Sequence, residues 1–174
     1  MRRLVFFLLI VLLFIPSIAR AQVSQNGHGG RFEDKFLDGL VGEYIVKRSI
    51  RGKVFESRMT TSWVLNHQFF SLWMSDGKDP SDYSAQVFIG YDDAKKSYVV
   101  HWIDTFGGSI SETVGYGKRD GYKIVFEFAY PDGPFRNTLS WEPKTDTWKF
   151  TMQNSDGKSG WKLFAEDVLT RRNR

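Results

Sequence analysis

The sequence predicts an all-β fold, a single antiparallel up-and-down barrel of about ten strands with a short N-terminal helix plugging one end. Three observations carry this. From Glu43 onward, runs of six to ten residues rich in Val, Ile, Thr, Phe, Tyr and Trp are separated by short clusters of Gly, Asp, Asn, Pro and Lys, which is strand-and-turn punctuation. Within several runs, large apolar and polar residues alternate, so each strand has two unlike faces. The connections are short, which suits neighbouring antiparallel strands and a meander whose closure removes exposed sheet edges.

Taken in order, the chain opens with Arg2 and Arg3, an apolar run from Leu4 to Ile15, and Ala19-Arg20-Ala21, the small-x-small form of a signal-peptidase site. Residues 1 to 21 are therefore expected to be a signal peptide directing the protein to the periplasm or the medium. The run is shorter than the roughly 20 residues that span a bilayer, and no second such run follows, so no membrane span is expected after its removal. Residues 22 to 30, with three glycines and no apolar period, read as a flexible leader. "RFEDKFLDGLVGEY" then places Phe32, Phe36, Leu37 and Leu40 at helical spacing and stops at Gly42, which predicts the plugging helix.

Strands are expected near 43 to 51, 53 to 65, 68 to 75, 83 to 91, 97 to 104, 110 to 118, 121 to 130, 135 to 142, 147 to 154 and 160 to 169. The breaks between them carry turn-forming residues: Asn66-His67, Asp76-Gly77, Asp92-Asp93, Gly107-Gly108, Asp120-Gly121, Asp132-Gly133 and Asp156-Gly157. The barrel domain is thus residues 31 to 170, with a basic tail over 171 to 174. In the run 121 to 130, Tyr122, Ile124, Phe126, Phe128 and Tyr130 share a face. Phe135, Asn137, Leu139 and Trp141 do so in the next, and Trp148, Phe150 and Met152 in the one after. Charges such as Glu127 and Lys149 lie opposite these rings, which argues for apolar inside and polar outside rather than a lipid-facing barrel.

Composition narrows the chemistry. The chain has no cysteine, which removes disulfides, thiolate metal sites and cysteine nucleophiles. Three of its 24 Lys and Arg (Arg2, Arg3 and Arg20) lie in the signal segment and no acid does, which leaves 21 bases against 20 acids. A near-neutral surface of this kind lacks the broad basic footprint of a nucleic-acid binder. The three histidines, His28, His67 and His101, have no short-range ligand spacing, and there is no Gly-x-Ser-x-Gly or phosphate loop. In "YVVHWIDTFGG", Tyr98, Val100, Trp102 and Asp104 share the bulkier face, which places Trp102 inward and His101 outward.

Polar residues on apolar faces are the candidate site, because burying them costs free energy unless they are paired. Arg48 shares a face with Tyr44, Val46 and Ile50. Glu112 would share one with Ile110, Val114 and Tyr116, and Asn137 lies with Phe135, Leu139 and Trp141. One account pairs Arg48 with Glu112 inside a filled barrel that binds nothing. The other lets Arg48 and Asn137 orient the polar end of an apolar ligand among Trp63, Trp102, Tyr116, Trp141 and Trp148. The expectation is a barrel that binds a small hydrophobic molecule in its lumen, with no cofactor and no metal. The alternatives are an enzyme using Glu112 as acid or base, a haem held by one histidine on fold grounds alone, and an envelope interaction module acting through its loops.

"LVGEY", "SRMTTSWVLNHQFF", "FIGYDDAKKSYVVHWIDTFGG" and "FRNTLSWEPKTDTW" resemble the successive blocks of the bacterial domain-of-unknown-function family 1579. This group is related to lipocalin-like and fatty-acid-binding-protein-like calycin barrels. The resemblance spans roughly residues 32 to 169 and rests most on the "GYD" hairpin and the Trp-x-Asp strand after it. "LVGEY" is also similar to the Gly-x-Trp signature near the start of lipocalin-type barrels, with Tyr44 in place of tryptophan. The resemblance implies the barrel and, because the family has no established activity, no particular chemistry.

Overall fold

In a computed structural model describing residues 30–172, ten antiparallel strands close into one barrel. The segments read as a signal peptide and most of the leader lie outside the described residues. A helix, α1 (Lys35–Leu40), precedes β1 (Gly42–Ile50), β2 (Lys53–Val64), β3 (Phe69–Ser75), β4 (Ser84–Asp92) and β5 (Ser97–Asp104). A four-residue helix, α2 (Gly108–Ser111), leads into β6 (Val114–Asp120), β7 (Lys123–Tyr130), β8 (Gly133–Glu142), β9 (Thr147–Ser155) and β10 (Trp161–Arg171). Each strand pairs with its neighbours in sequence, and β1 pairs with β10, so no strand is left with an open edge.

The expected alternation holds through most of the ring. Tyr44 and Val46 on β1, Phe70, Leu72 and Met74 on β3, Ile124, Phe126 and Phe128 on β7, and Trp148, Phe150 and Met152 on β9 are all buried. At about 25 cal/mol per Å² of apolar surface removed from water, this interior is the main stabilising term in a chain without disulfides.

α1 covers the end of the barrel at which the described chain enters and leaves. Asp34 is its N-cap, its Oδ1 accepting from the backbone N–H of Phe36 at 2.8 Å and of Leu37 at 3.3 Å, two donors that the first turn cannot otherwise satisfy. Asp34 Oδ2 also accepts from the Tyr98 hydroxyl at 2.5 Å, which ties the cap to β5. Phe36, Leu37 and Leu40 are buried, and Phe36 packs on Trp148 with ring centroids 4.8 Å apart. Arg171 is the last residue of β10, and its guanidinium donates to the carbonyls of Val41 and Gly39 at 2.7 Å each, holding the end of α1 against the barrel.

The largest departure from the sequence reading is β6. The expected strand from 110 is replaced by α2, in which the N–H groups of Ser111 and Glu112 donate to the carbonyls of Gly107 and Gly108. β6 pairs with β5 only from Val114, opposite His101. The common face proposed for Ile110, Glu112, Val114 and Tyr116 therefore does not exist. The inner positions of β6 are Gly115 and Gly117, while Tyr116 points outward and is 48% exposed. The reason is space. A Cβ on Gly115 would lie 2.7 Å from the Phe128 ring, and one on Gly117 2.6 Å from that of Phe126, so the rings of β7 fill the volume that β6 side chains would need.

Candidate functional site

The five hairpins that lead from odd to even strands gather at the end opposite α1. There the inward side chains leave a cavity of about 620 Å³, within the range of small-molecule sites. Its walls are largely apolar: Ile50, Trp102, Phe128, Tyr130, Phe135, Met152 and Phe164. Phe55 and Phe106 stand at its mouth, with Phe106 71% exposed. Strand parity sends most of these residues inward, an irregularity in β10 between Leu163 and Ala165 brings Phe164 to the same side as Ala165, and position along the strand decides which of them reach the open end.

Arg48 enters the cavity from β1, and its partner is Asp167 of β10 rather than Glu112. Arg48 Nε donates to Asp167 Oδ1 at 2.7 Å and Nη2 to Oδ2 at 2.6 Å, a two-pronged pair in which Asp167 is fully buried. The strands place them together by register, since Arg48 and Asp167 are direct cross-strand neighbours. Burial works against the guanidinium charge, but Asp167's hydrogen bonds and charge outweigh it and hold Arg48 above its ordinary value. The guanidinium also lies over the Tyr83 ring, 4.8 Å from the centroid.

A short polar chain continues from there. Trp102 Nε1 donates to the Tyr83 hydroxyl at 3.2 Å, and that hydroxyl donates to Asp104 Oδ2 at 3.4 Å. Burial pushes the Tyr83 hydroxyl up, against the pull of Arg48. Asn137 lines the cavity from β8 with 2% exposure, and its Oδ1 has no hydrogen-bond partner among the described residues. Buried polar atoms are nearly always paired, so this one stands out.

The eight residues singled out from the sequence separate into three groups. Arg48, Trp102 and Asn137 line the cavity. Trp63, Trp141 and Trp148 are set at the α1 end instead. Trp63 donates to Asp38 Oδ1 at 2.8 Å and stacks on His67 at 4.0 Å, while Trp141 stacks on Trp148 at 5.8 Å. Glu112 and Tyr116 lie outside the barrel, Glu112 as the exposed C-cap of α2. An acid in that place faces no enclosed substrate space, so the geometry needed for acid or base work by Glu112 is missing. Sequence reasoning overlooked Asp167, although Ala165, Asp167 and Leu169 alternate as an inward face with one charge in it. It also overlooked Tyr83, which the expected strand from 83 included but which lies just before β4.

Neither described histidine lines the cavity. His67 Nδ1 lies 2.9 Å from the Phe32 carbonyl, and His101 is on the outer face of β5. The cavity residues therefore do not fit a haem held by histidine, and no cluster of metal-ligating side chains occurs among the described residues.

Fold and cavity together define a closed up-and-down β-barrel with one plugged end and one open, largely apolar well. The model of the family described as "Protein of unknown function (DUF1579)" matches residues 33–171, and the chain belongs to that family. No curated protein matches it. Among solved structures, that of Rv2717c from M. tuberculosis is similar, with a TM-score of 0.53 at 13% sequence identity, over 82% of this chain and 100% of that one. At this identity the likeness concerns the fold.

Proposed function

We propose that this is an exported barrel protein that binds a small hydrophobic molecule in its open end, with Asn137 and the Arg48–Tyr83–Trp102 group meeting the ligand's polar atoms. One observation carries the reading. A cavity of about 620 Å³ with apolar and aromatic walls also contains a buried Asn137 oxygen without a partner. A filled structural core would be expected to close such a space, because unfilled volume and unpaired polar atoms both cost stability. Export rests on the Arg2-Arg3 start, the apolar run and Ala19-Arg20-Ala21, with cleavage near Ala21 and delivery to the periplasm or the medium.

Native mass spectrometry of the protein purified from its own host tests both parts. The expected spectrum has a mature chain beginning near Gln22 and carrying a small molecule that is released on denaturation. Asn137→Leu should weaken retention of that molecule while leaving the chain folded. A full-length chain starting at Met1 would overturn export. A ligand-free protein that also fails to take up an apolar dye would overturn the binding role.

A further inference from the structure

The charges that face the cavity are unevenly distributed. Its two cations are both engaged by carboxylates, Arg48 by Asp167 and Lys78 by Asp82. Two further carboxylates, Asp76 and Asp104, line the same space, and neither forms a salt bridge among the described residues, Asp76 lying close enough to Lys78 only to feel its charge. Asp76 is held in place by its own loop, accepting from Ser81 Oγ at 2.6 Å and from the backbone N–H groups of Asp82 at 2.9 Å and Lys78 at 3.2 Å. Asp104 Oδ1 accepts from the Phe106 N–H at 3.0 Å, and its other oxygen meets the Tyr83 hydroxyl. Both carboxylates are thus held in position at the mouth.

Two independent features agree with this. The unpartnered Oδ1 of Asn137, in a side chain 2% exposed, is an acceptor that needs a donor, which an ammonium N–H supplies and a carboxylate does not. The rings of Tyr83, Trp102, Phe106 and Tyr130 border the same volume, and aromatic faces attract cations. An anionic head group would meet the carboxylates of Asp76 and Asp104 and find Arg48 already satisfied.

We propose that the cavity selects an amphiphilic organic cation, an apolar body bearing an amine, over a fatty-acid-like anion of the same size. The basis is the placement of Asp76 and Asp104 at the mouth of an apolar well whose cations are already paired. This rests on the cavity being a ligand site.

Isothermal titration calorimetry at low ionic strength with three matched probes, dodecylammonium, dodecanol and dodecanoate, tests it. Dodecylammonium is expected to bind at least about tenfold more tightly than dodecanoate, with dodecanol between them. Asp104→Asn and Asp76→Asn, made separately, should each narrow the gap several-fold, and added salt should narrow it further. Asp120→Asn, at the last residue of β6 at the closed end, should leave it unchanged. Asp76 lies in the surface loop after β3, so its variant keeps the test open if Asp104→Asn fails to fold. Equal affinities, a preference for dodecanoate, or a gap insensitive to both substitutions would overturn charge selection while leaving the ligand site standing. If none of the three probes binds, the ligand site itself is refuted, and the selection with it.

Discussion

Arg48 and Asp167 show how one pair of side chains can be both structural and part of a site. Taking either charge out of water is costly, and the pair offsets that cost only through its two short hydrogen bonds. Removing one partner leaves the other buried and uncompensated. Asp167→Ala is therefore expected to lower unfolding free energy by about 3–5 kcal/mol in urea titrations, whereas Arg48→Met combined with Asp167→Leu should recover most of the loss. A double variant as unstable as the single one would contradict this account. Half of this arrangement was legible beforehand. Arg48 stood out as a charge on the inward face of β1, but its partner lies 119 positions away and is brought opposite only by the closure of β1 on β10. Pattern reading along one strand carries no information about which other strand will lie beside it.

At the level of the element, strand parity was readable wherever bulky rings marked the inner face, as in β7, β8 and β9. It failed in β6, where the inner face is made of glycine and the larger residue, Tyr116, points to solvent. The rule that the bulkier face is buried assumes that each strand fills its own share of the interior. Here β7 fills the share of β6 as well. Gly115→Ala should therefore cost about 1–3 kcal/mol by forcing the Phe128 ring and Val100 apart, since the new Cβ would sit 2.7 Å from each. Thermal unfolding followed by circular dichroism is the check, and an unchanged midpoint would show that β7 can yield. The helix α1 illustrates the opposite case. Its apolar spacing and the stop at Gly42 predicted it, and Asp34 supplies the cap that starts it.

Over the whole molecule, four tyrosines have hydroxyls pushed up: Tyr44, Tyr83, Tyr98 and Tyr130. Burial is the first cause in each, joined at Tyr98 by its bond to Asp34. A group whose folded value lies above its unfolded one stabilises the fold fully below the unfolded value, and that contribution fades as pH rises toward the folded one. Stability should hold up to about pH 10, the ordinary tyrosine value, and then fall steeply. Tyr98→Phe should flatten that alkaline decline, as measured by urea midpoints across pH. A stability profile flat through pH 11 would contradict it.

The sequence by itself determined the barrel, its strand count, the plugging helix and the inward direction of most rings, because these follow from periodicity and turn chemistry within a few residues of each other. Only the tertiary structure decided which inward residues share an open cavity and which are sealed beneath α1. It also decided that Arg48 meets Asp167, and that Glu112 and Tyr116 lie outside. Those outcomes depend on closure, on register between strands distant in the chain, and on competition for interior volume, which are properties of the folded ring rather than of any one segment.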